Sequence, residues 1–554
     1  MRKNKVKYSE LIPRTSEWPI YRLSRNRDAF IKEVIADSVD NFQSLRKGRS
    51  LREELETTVY REKLRMKANP WRVDPKDEKE FWVEMQRRLL ESEGDPQAED
   101  EEQRILHDII ARYAHEIAGN FRKSYYKFAR TFVTFGFARL LNAARVNGFL
   151  SLFSKQLDLD DKIRIVGETE HLRNLATKGT VVMVPTHFSN LDSILIGWVI
   201  QFLGLPAFIY GAGLNLFNIK IFAYFMNSLG AYKVDRRKKN PVYLQTLRSY
   251  STLAIGRGCH SLFFPGGTRS RSGQIEQNLK LGLLGTAVEA QRKIYQDNAD
   301  DKTKVFIVPV VINYQFTLEA PALIREHLKR TGQERFYEES DEFSTSYKIA
   351  SFLFKFFTKG SDISVTIGKG MDILGNYVDN EGHSYDKNGT WIHPRDYFVS
   401  HGEITIDTQR EQTYVRILSK RIVEEYHLNN RVFSSHLVAF AAFKILERRN
   451  PKLDLYHVLR LPDEDLTIDF EEFKRVFKKL RKQIVKLEKK GKVGTAPKLK
   501  ESAENAIAEG LRNVGMYHAK RPLIRKKDKI VIQDANTLFY YHNRMEGYGL
   551  ERHI

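Results

Sequence analysis

Between Lys162 and Tyr314 short apolar runs return at intervals wide enough to hold a helix, and that spacing decides the fold class. The runs are Val181–Val184, Ala207–Tyr210, Ala231–Val234, Ser261–Phe264 and Val305–Val311, with another at Ile363–Ile367 just before G-K-G-M-D-I-L. Runs without polar alternation suit strands buried on both faces. A hairpin closes in two residues, whereas parallel neighbours need a crossover of a dozen or more. The expectation is an α/β protein with a mostly parallel central sheet and flanking helices, extended by helical N-terminal and C-terminal regions. Residues 1–115 read as a charged helical region, 116–410 as the α/β domain with membrane-facing helices, and 411–554 as a basic helical region. A chain of 554 residues, 42% apolar and 12% aromatic, has core enough for two or three lobes.

Open α/β sheets bind ligands beyond the carboxyl ends of their strands, and four strand ends here carry chemistry. The first is V-P-T-H-F-S-N-L-D, which sets His187 just past a strand and Asp192 in the first turn of the next helix. A carboxylate on the far ring nitrogen fixes the tautomer and orientation that a histidine base needs. With 15 histidines, about one such spacing arises by chance, so the pair needs company. F-F-P-G-G-T-R-S-R-S-G at Phe263–Gly273 supplies it: Gly266 and Gly267 permit a sharp turn, followed by Thr268, Arg269, Ser270 and Arg271. Guanidiniums beside exposed amides suit a phosphate. The third end, Leu229–Arg237, closes on Arg236 and Arg237, and the fourth, Val308–Tyr314, on a tyrosine read as part of an apolar wall.

Lys and Arg number 91 against 70 Asp and Glu, a net +21, which favours polyanions such as a phospholipid surface, nucleic acid or phosphorylated substrates. The basic residues are spread along the chain without a nucleic-acid motif, so no nucleic-acid partner is expected. Cys259, the only cysteine, excludes an internal disulfide, fits a reducing compartment and reads as a buried core residue. No clustered His/Cys spacing suggests a metal site. The first ten residues read without a signal-peptide core, and the C-terminal E-R-H-I is not a peroxisomal address. Ser193–Ile219 is uncharged and long enough to span a bilayer, but its glycines and Pro206 divide it into a buried helix, strand and turn. Glu91–Arg104 reads as a solvated linker or loop and Lys489–Lys500 as a flexible basic loop. Phe121–Phe153 interleaves aromatic and basic residues, as either an interfacial helix or one packed on a neighbouring lobe. The stripe Phe470, Phe473, Phe477, Leu480, Ile484 and Leu487 reads as a helix face packed on the same protein, with anionic lipid as the alternative surface.

The four blocks, in this order, resemble the glycerolipid acyltransferases with the H-x-x-x-x-D motif. Pro185, His187, Ser189 and Asp192 match P-x-H-x-S-x-x-D. Phe264, Pro265, Gly267, Thr268, Arg269 and Ser270 match F-P-E-G-T-R-S. The glycerol-3-phosphate acyltransferase branch is most similar. Gly213-Leu214-Asn215-Leu216 resembles its G-x-N-L block, and Lys280-Leu281-Gly282 its lysine–glycine segment. Ser364–Leu374 resembles its late strand, and Phe539-Tyr540-Tyr541-His542-Asn543 its Y-Y-R-N segment. Two departures bear on the acceptor. Gly266 stands where the family has a glutamate associated with holding glycerol, with Glu276 as a candidate replacement. Val234-Asp235-Arg236 resembles the I-D-R of the lysophosphatidate branch.

The resemblance implies transfer of a fatty acyl group from an acyl-CoA or acyl carrier protein thioester to the sn-1 hydroxyl of glycerol 3-phosphate, in phospholipid synthesis. His187 and Asp192 would be catalytic. Asn215, Arg236, Gly267, Thr268, Arg269, Arg271 and Lys280 would hold substrate. Amides near Pro265–Gly267 would hold the oxyanion, and the thioester is a co-substrate, with no cofactor. An anionic membrane surface is the implied partner, with a peripheral or monotopic position on the cytoplasmic face of the membrane. Acylation of lysophosphatidate or another lysolipid, and a catalytically silent lipid-binding homologue, are the alternatives.

Overall fold

The computed structural model describes residues 8–45, 48–71, 73–126, 163–214, 230–297, 303–332 and 363–554. Its centre is a seven-stranded sheet formed by β1 (Ile163–Gly167), β2 (Gly179–Pro185), β3 (Ile209–Gly213), β4 (Ala231–Val234), β5 (Ser261–Leu262), β6 (Lys304–Tyr314) and β7 (Ile363–Ile367). The order is β1-β7-β6-β2-β5-β3-β4. The five strands β2 to β6 run parallel, so Pro185, Gly213, Val234, Leu262 and Tyr314 end on one rim. β7 is antiparallel to β6, and β1 is parallel to β7. β1 is an addition to the expected set: Arg164 interrupts its short apolar run, which an edge strand tolerates.

Alternate residues of the central strands feed opposite layers, as a pleated strand requires. Val181, Met183, Val308, Val310 and Ile312 pack in the core shared with α6 (Thr169–Lys178) and α7 (Asp192–Phe202). Val182, Val184, Ile307 and Val311 pack in the core shared with α9 (Leu281–Asp297) and α11 (Thr408–Asn429). α8 (Pro241–Gly256) lies against α9, and α10 (Ala320–Arg330) against the last helix, α15 (Ala535–His542). Near the C-terminus α12 (Ser434–Arg449) is surrounded by α13 (Phe470–Lys489), α14 (Ala503–Asn513) and α15.

Before the sheet come α1 (Pro19–Arg25), α2 (Arg27–Leu45), α3 (Leu51–Ala68), α4 (Glu78–Glu91) and α5 (Ala98–Ile117). Ser50 and Glu53 close a capping box that starts α3. These helices share a core with Ile209, Tyr232 and Val242 at the β3–β4 end of the sheet. A buried ionic network reinforces the seam. Arg65 pairs with Glu62 at 2.7 Å and with Glu78, and Lys238, just past β4, pairs with Glu116 at 2.5 Å. Asn240 donates to Glu62 at 2.7 Å and to the Tyr113 hydroxyl at 2.9 Å.

Several local expectations change. Residues 98–104 are the first turns of α5 rather than a linker, because Glu101 binds Arg88 at 2.6 Å and the acidic run lies at the helix N-terminus. The basic stretch Lys489–Lys500 is pinned: Gly494–Thr495 pairs with Arg431–Val432, and Lys500 reaches Glu488 at 3.1 Å. The stripe of α13 packs inward with Phe473, Phe477, Leu480 and Ile484 buried, while Leu487 is only partly covered. Ser193–Ile219 divides into α7 and β3, its last five residues lying outside the described residues. Among the described residues no helix is long and apolar enough to cross a membrane. Most of Phe121–Phe153 also falls outside them. Of its described part, Phe121 and Tyr126 pack on Trp18. Cys259 is buried, and burial pushes its thiol up to about 12, which leaves it unreactive.

Removing Arg65 leaves Glu62 and Glu78 buried without their shared cation. Arg65→Ala is therefore expected to lower unfolding free energy by about 3–5 kcal/mol, measured by urea unfolding; a loss below about 1 kcal/mol contradicts a structural role for the network.

Candidate active site

Past Pro185 the chain stays tied to β6. The Thr186 N–H donates to Val310 O at 2.9 Å, and the Thr186 hydroxyl accepts from the Ile312 N–H at 3.0 Å. This delivers His187 to the rim. Asp192, the first residue of α7, is fully buried, so its charge must be met by hydrogen bonds. Its Oδ2 accepts from the N–H of Phe188 at 2.6 Å and of Ser189 at 2.8 Å, and from His187 Nδ1 at 2.8 Å. The Tyr314 hydroxyl donates to Oδ1 at 2.5 Å. The helix N-terminus adds a favourable dipole.

This arrangement sets the histidine tautomer. A carboxylate only accepts, so Nδ1 carries the proton and a neutral ring presents its lone pair at Nε2. Nε2 makes no hydrogen bond among the described residues, and the side chain is 15% exposed. The ring stacks on Phe264 with centroids 4.2 Å apart. Tyr314 is more than the apolar wall read from sequence. Burial, then the Asp192 charge, raises its phenol well above the ordinary value, so it remains a donor.

The second block folds onto the first. The Ser270 N–H donates to His187 O at 2.7 Å, and the Lys280 N–H to Pro265 O at 2.7 Å. Gly267 has φ +77°, where a side chain would be strained, and a Cβ there would lie 3.0 Å from Lys280 Cγ. Lys280 therefore lays its stem on this turn. Arg271 donates to the Thr268 hydroxyl at 3.1 Å and pairs with Glu326 at 2.8 Å; Arg269 lies 3.6 Å from Glu319. Arg236 pairs with no carboxylate among the described residues. Solvent reaches it, yet crowding by protein, then the charges of Arg271 and Arg269, lower its pKa. Three guanidiniums that repel one another mark an anion site. Arg237 is not part of it. It turns back to Asp235 at 2.7 Å and to Asp74, with Trp71 stacked 3.9 Å from its guanidinium. Of the sequence-level site, then, His187, Asp192, Gly267, Thr268, Arg269, Arg271, Lys280 and Arg236 fall on or beside one rim; Asn215 lies outside the described residues.

Three further residues belong here. Glu319 is buried and accepts from the Ser189 hydroxyl at 3.1 Å and the Asn190 N–H at 2.9 Å, tying the histidine turn to Arg269. Arg544 donates to Ile312 O at 2.9 Å and lies 3.6 Å from the Phe188 ring centre. Glu276 accepts from the His187 N–H at 2.8 Å. The C-terminal segment clamps the arginine turn from behind: Asn543 donates to Ser272 O at 2.9 Å, and a Cβ on Gly273 would lie 2.2 Å from Tyr540 O. Its resemblance to the Y-Y-R-N segment was the only sequence sign of this role. For Glu319 no sequence sign exists.

Two outcomes test this geometry without assaying a reaction. Arg236→Ala is expected to weaken binding of inorganic phosphate about 10-fold by calorimetry, roughly one charge-assisted hydrogen bond, while Arg237→Ala leaves it within threefold. Burial raises the Glu276 carboxyl from 4.5 to about 7. A raised carboxyl contributes fully below the unfolded value and loses that contribution as pH rises through about 7. Glu276→Gln should therefore gain thermal stability relative to wild type between pH 5 and pH 8; equal pH dependence contradicts the assignment.

Comparison with known proteins agrees with the geometry. An acyltransferase family model matches residues 166–313, which span β2 to β6 and three of the four blocks completely. Curated glycerol-3-phosphate acyltransferases are also similar to parts of the chain. The one from Pseudoalteromonas atlantica is 26% identical over 302 residues, 52% of this chain and 32% of that protein. The one from Alteromonas mediterranea is 31% identical over 163 residues, 29% of this chain and 19% of that protein. The one from Aeromonas hydrophila is 28% identical over 225 residues, 40% and 24% of the two chains. The matches thus span a third or less of these relatives' length. A histidine turn and an arginine turn thus join on one rim of an α/β sheet whose residues 166–313 match the acyltransferase family model, and the chain is similar to glycerol-3-phosphate acyltransferases.

Proposed function

We propose that this protein transfers a fatty acyl group from a thioester, acyl-CoA or acyl carrier protein, to the sn-1 hydroxyl of glycerol 3-phosphate at an anionic membrane surface. The observation that carries the reading is the junction of two sites on one rim: His187 with Nε2 free and Nδ1 held by Asp192, beside the cluster of Arg236, Arg269 and Arg271.

A hydroxyl attacks a thioester slowly until a base takes its proton. His187 Nε2 removes that proton as the substrate oxygen bonds to the thioester carbon, a contribution of about 10²–10⁴-fold. Asp192 stabilises the imidazolium, and Tyr314 and two amides keep the carboxylate in place. Collapse of the tetrahedral intermediate breaks the C–S bond, and the imidazolium returns its proton to the departing thiolate. No acyl-enzyme forms. The arginines hold the acceptor phosphate and select which hydroxyl meets Nε2. For the oxyanion the choice of amide narrows. Pro265 has no N–H and that of Gly267 donates to Phe264 O at 3.0 Å, whereas that of Gly266 is free among the described residues.

A second reading, lysophosphatidate as acceptor, is favoured by Arg237. Its engagement with Asp74 and Asp235 leaves Arg236 alone after β4, similar to the I-D-R pattern of that branch.

The test offers the purified protein labelled acyl-CoA or acyl carrier protein with each acceptor in the presence of anionic vesicles. Glycerol 3-phosphate should be converted to labelled lysophosphatidate, and lysophosphatidate offered as the acceptor should give little labelled phosphatidate. His187→Ala should lower the rate about 10²–10⁴-fold and Tyr314→Phe about 10-fold. Labelled phosphatidate from lysophosphatidate with no product from glycerol 3-phosphate overturns the first reading, and absence of transfer to every acceptor favours a silent lipid-binding homologue.

A further inference from the structure

Gly266 has no conformational reason to be glycine. Unlike Gly267 and Gly273, it does not have a positive φ. Any residue can adopt its backbone. The reason lies in what a side chain would meet. A Cβ at Gly266 would lie 3.0 Å from Glu276 Cγ, 3.2 Å from its Oε1 and 3.5 Å from its Cδ, and these are its three nearest neighbours. Glu276 cannot swing away cheaply. Its Oε1 is fixed by the His187 N–H at 2.8 Å, and its Oε2 is buried without a hydrogen-bond partner.

Glu276 therefore stands over Gly266 and grips the main chain of the residue whose ring is the base. A buried carboxylate with one oxygen unmatched is costly, and it persists only where its position does something. The surroundings set its charge: Arg544 favours the ionised form, while Asp192 and burial oppose it, and Tyr426 lies near enough to feel it. Arg544 is itself buried, with Nε and Nη1 unpartnered.

We infer that Gly266 and Glu276 are a matched pair: Glu276 is a positioning residue that fixes the His187 turn, and Gly266 is required to be side-chain-free to admit it. The inference rests on the transfer reaction proposed above for its kinetic readout. It also explains why the departure at Gly266 need not silence the site. The turn has a carboxylate beside it, brought from ten positions along the chain.

A double-mutant cycle tests the pair, with Gly266→Ala, Glu276→Ala, the double variant and Glu276→Gln compared with wild type. Gly266→Ala and Glu276→Ala should each lower kcat about 10–100-fold, with acceptor KM changing less than about threefold, because a small misplacement of the base acts on the chemical step. The double variant should be no worse than Glu276→Ala, since the added methyl then has nothing to displace. Glu276→Gln keeps an oxygen for the His187 N–H and should stay within about threefold of wild type. Additive losses, an unaffected Gly266→Ala, or a Glu276→Gln as impaired as Glu276→Ala each overturn the pairing. Thermal unfolding of the same proteins gives the cycle without catalysis. If wild type transfers nothing, the proposed reaction fails, while non-additive unfolding temperatures still support the pair and additive ones refute it.

Discussion

The buried carboxylate of Asp192 holds the active rim together. Four donors converge on it from two parts of the sequence: the His187 ring with the amides of Phe188 and Ser189, and the Tyr314 hydroxyl. A charge fully removed from water is tolerable only when its hydrogen bonds are met, so this geometry is narrowly defined. Satisfying it fixes the start of α7, the end of β6 and the orientation of the imidazole at once. On the proposed reading, the base is a consequence of how the fold buries one charge.

The remaining rim is assembled by similar reasoning about charge. Arg236 has no carboxylate partner among the described residues and feels the charges of Arg271 and Arg269, whereas Arg237, one residue on, is paired with Asp235 and with Asp74 in the loop between α3 and α4. Adjacent residues on one strand end thus take opposite roles, one structural and one available to a ligand. The loop between α3 and α4 contributes by taking Arg237 out of the site. The C-terminal segment contributes by backing the arginine turn and presenting Arg544 to Phe188. Both ends of the chain therefore constrain a site whose chemistry lies in the middle.

The sheet was legible because its apolar runs and their spacing are local facts. Every run named from the sequence became a strand, although β5 stops at Leu262 because the turn carrying Pro265 and Gly267 begins almost at once. β1 escaped notice because Arg164 breaks its pattern and it sits at an edge. The acidic run at residues 98–104 looked like solvent-exposed loop, since charge alone does not distinguish loop from the exposed first turns of a helix. His187, Asp192 and the arginine turn stood out from residue type and strand-end position. Glu319 did not, because it meets Ser189 across 130 residues, and Arg544 meets Ile312 across 232. Those contacts follow from how layers stack, which periodicity does not encode. Tyr314 is legible as a strand end but not as a donor; a tyrosine ending a buried strand needs a partner, and Asp192 supplies it.

In the proposed reaction Asp192 is the fixed acceptor that makes His187 a base. The most direct measurement is the acyl-transfer rate of Asp192→Asn at neutral pH, with circular dichroism confirming that the variant folds. An amide is neutral and cannot stabilise the imidazolium, so the rate should fall by about 10²–10⁴-fold with acceptor KM little changed. A folded Asp192→Asn protein that transfers acyl groups within threefold of wild type would contradict it.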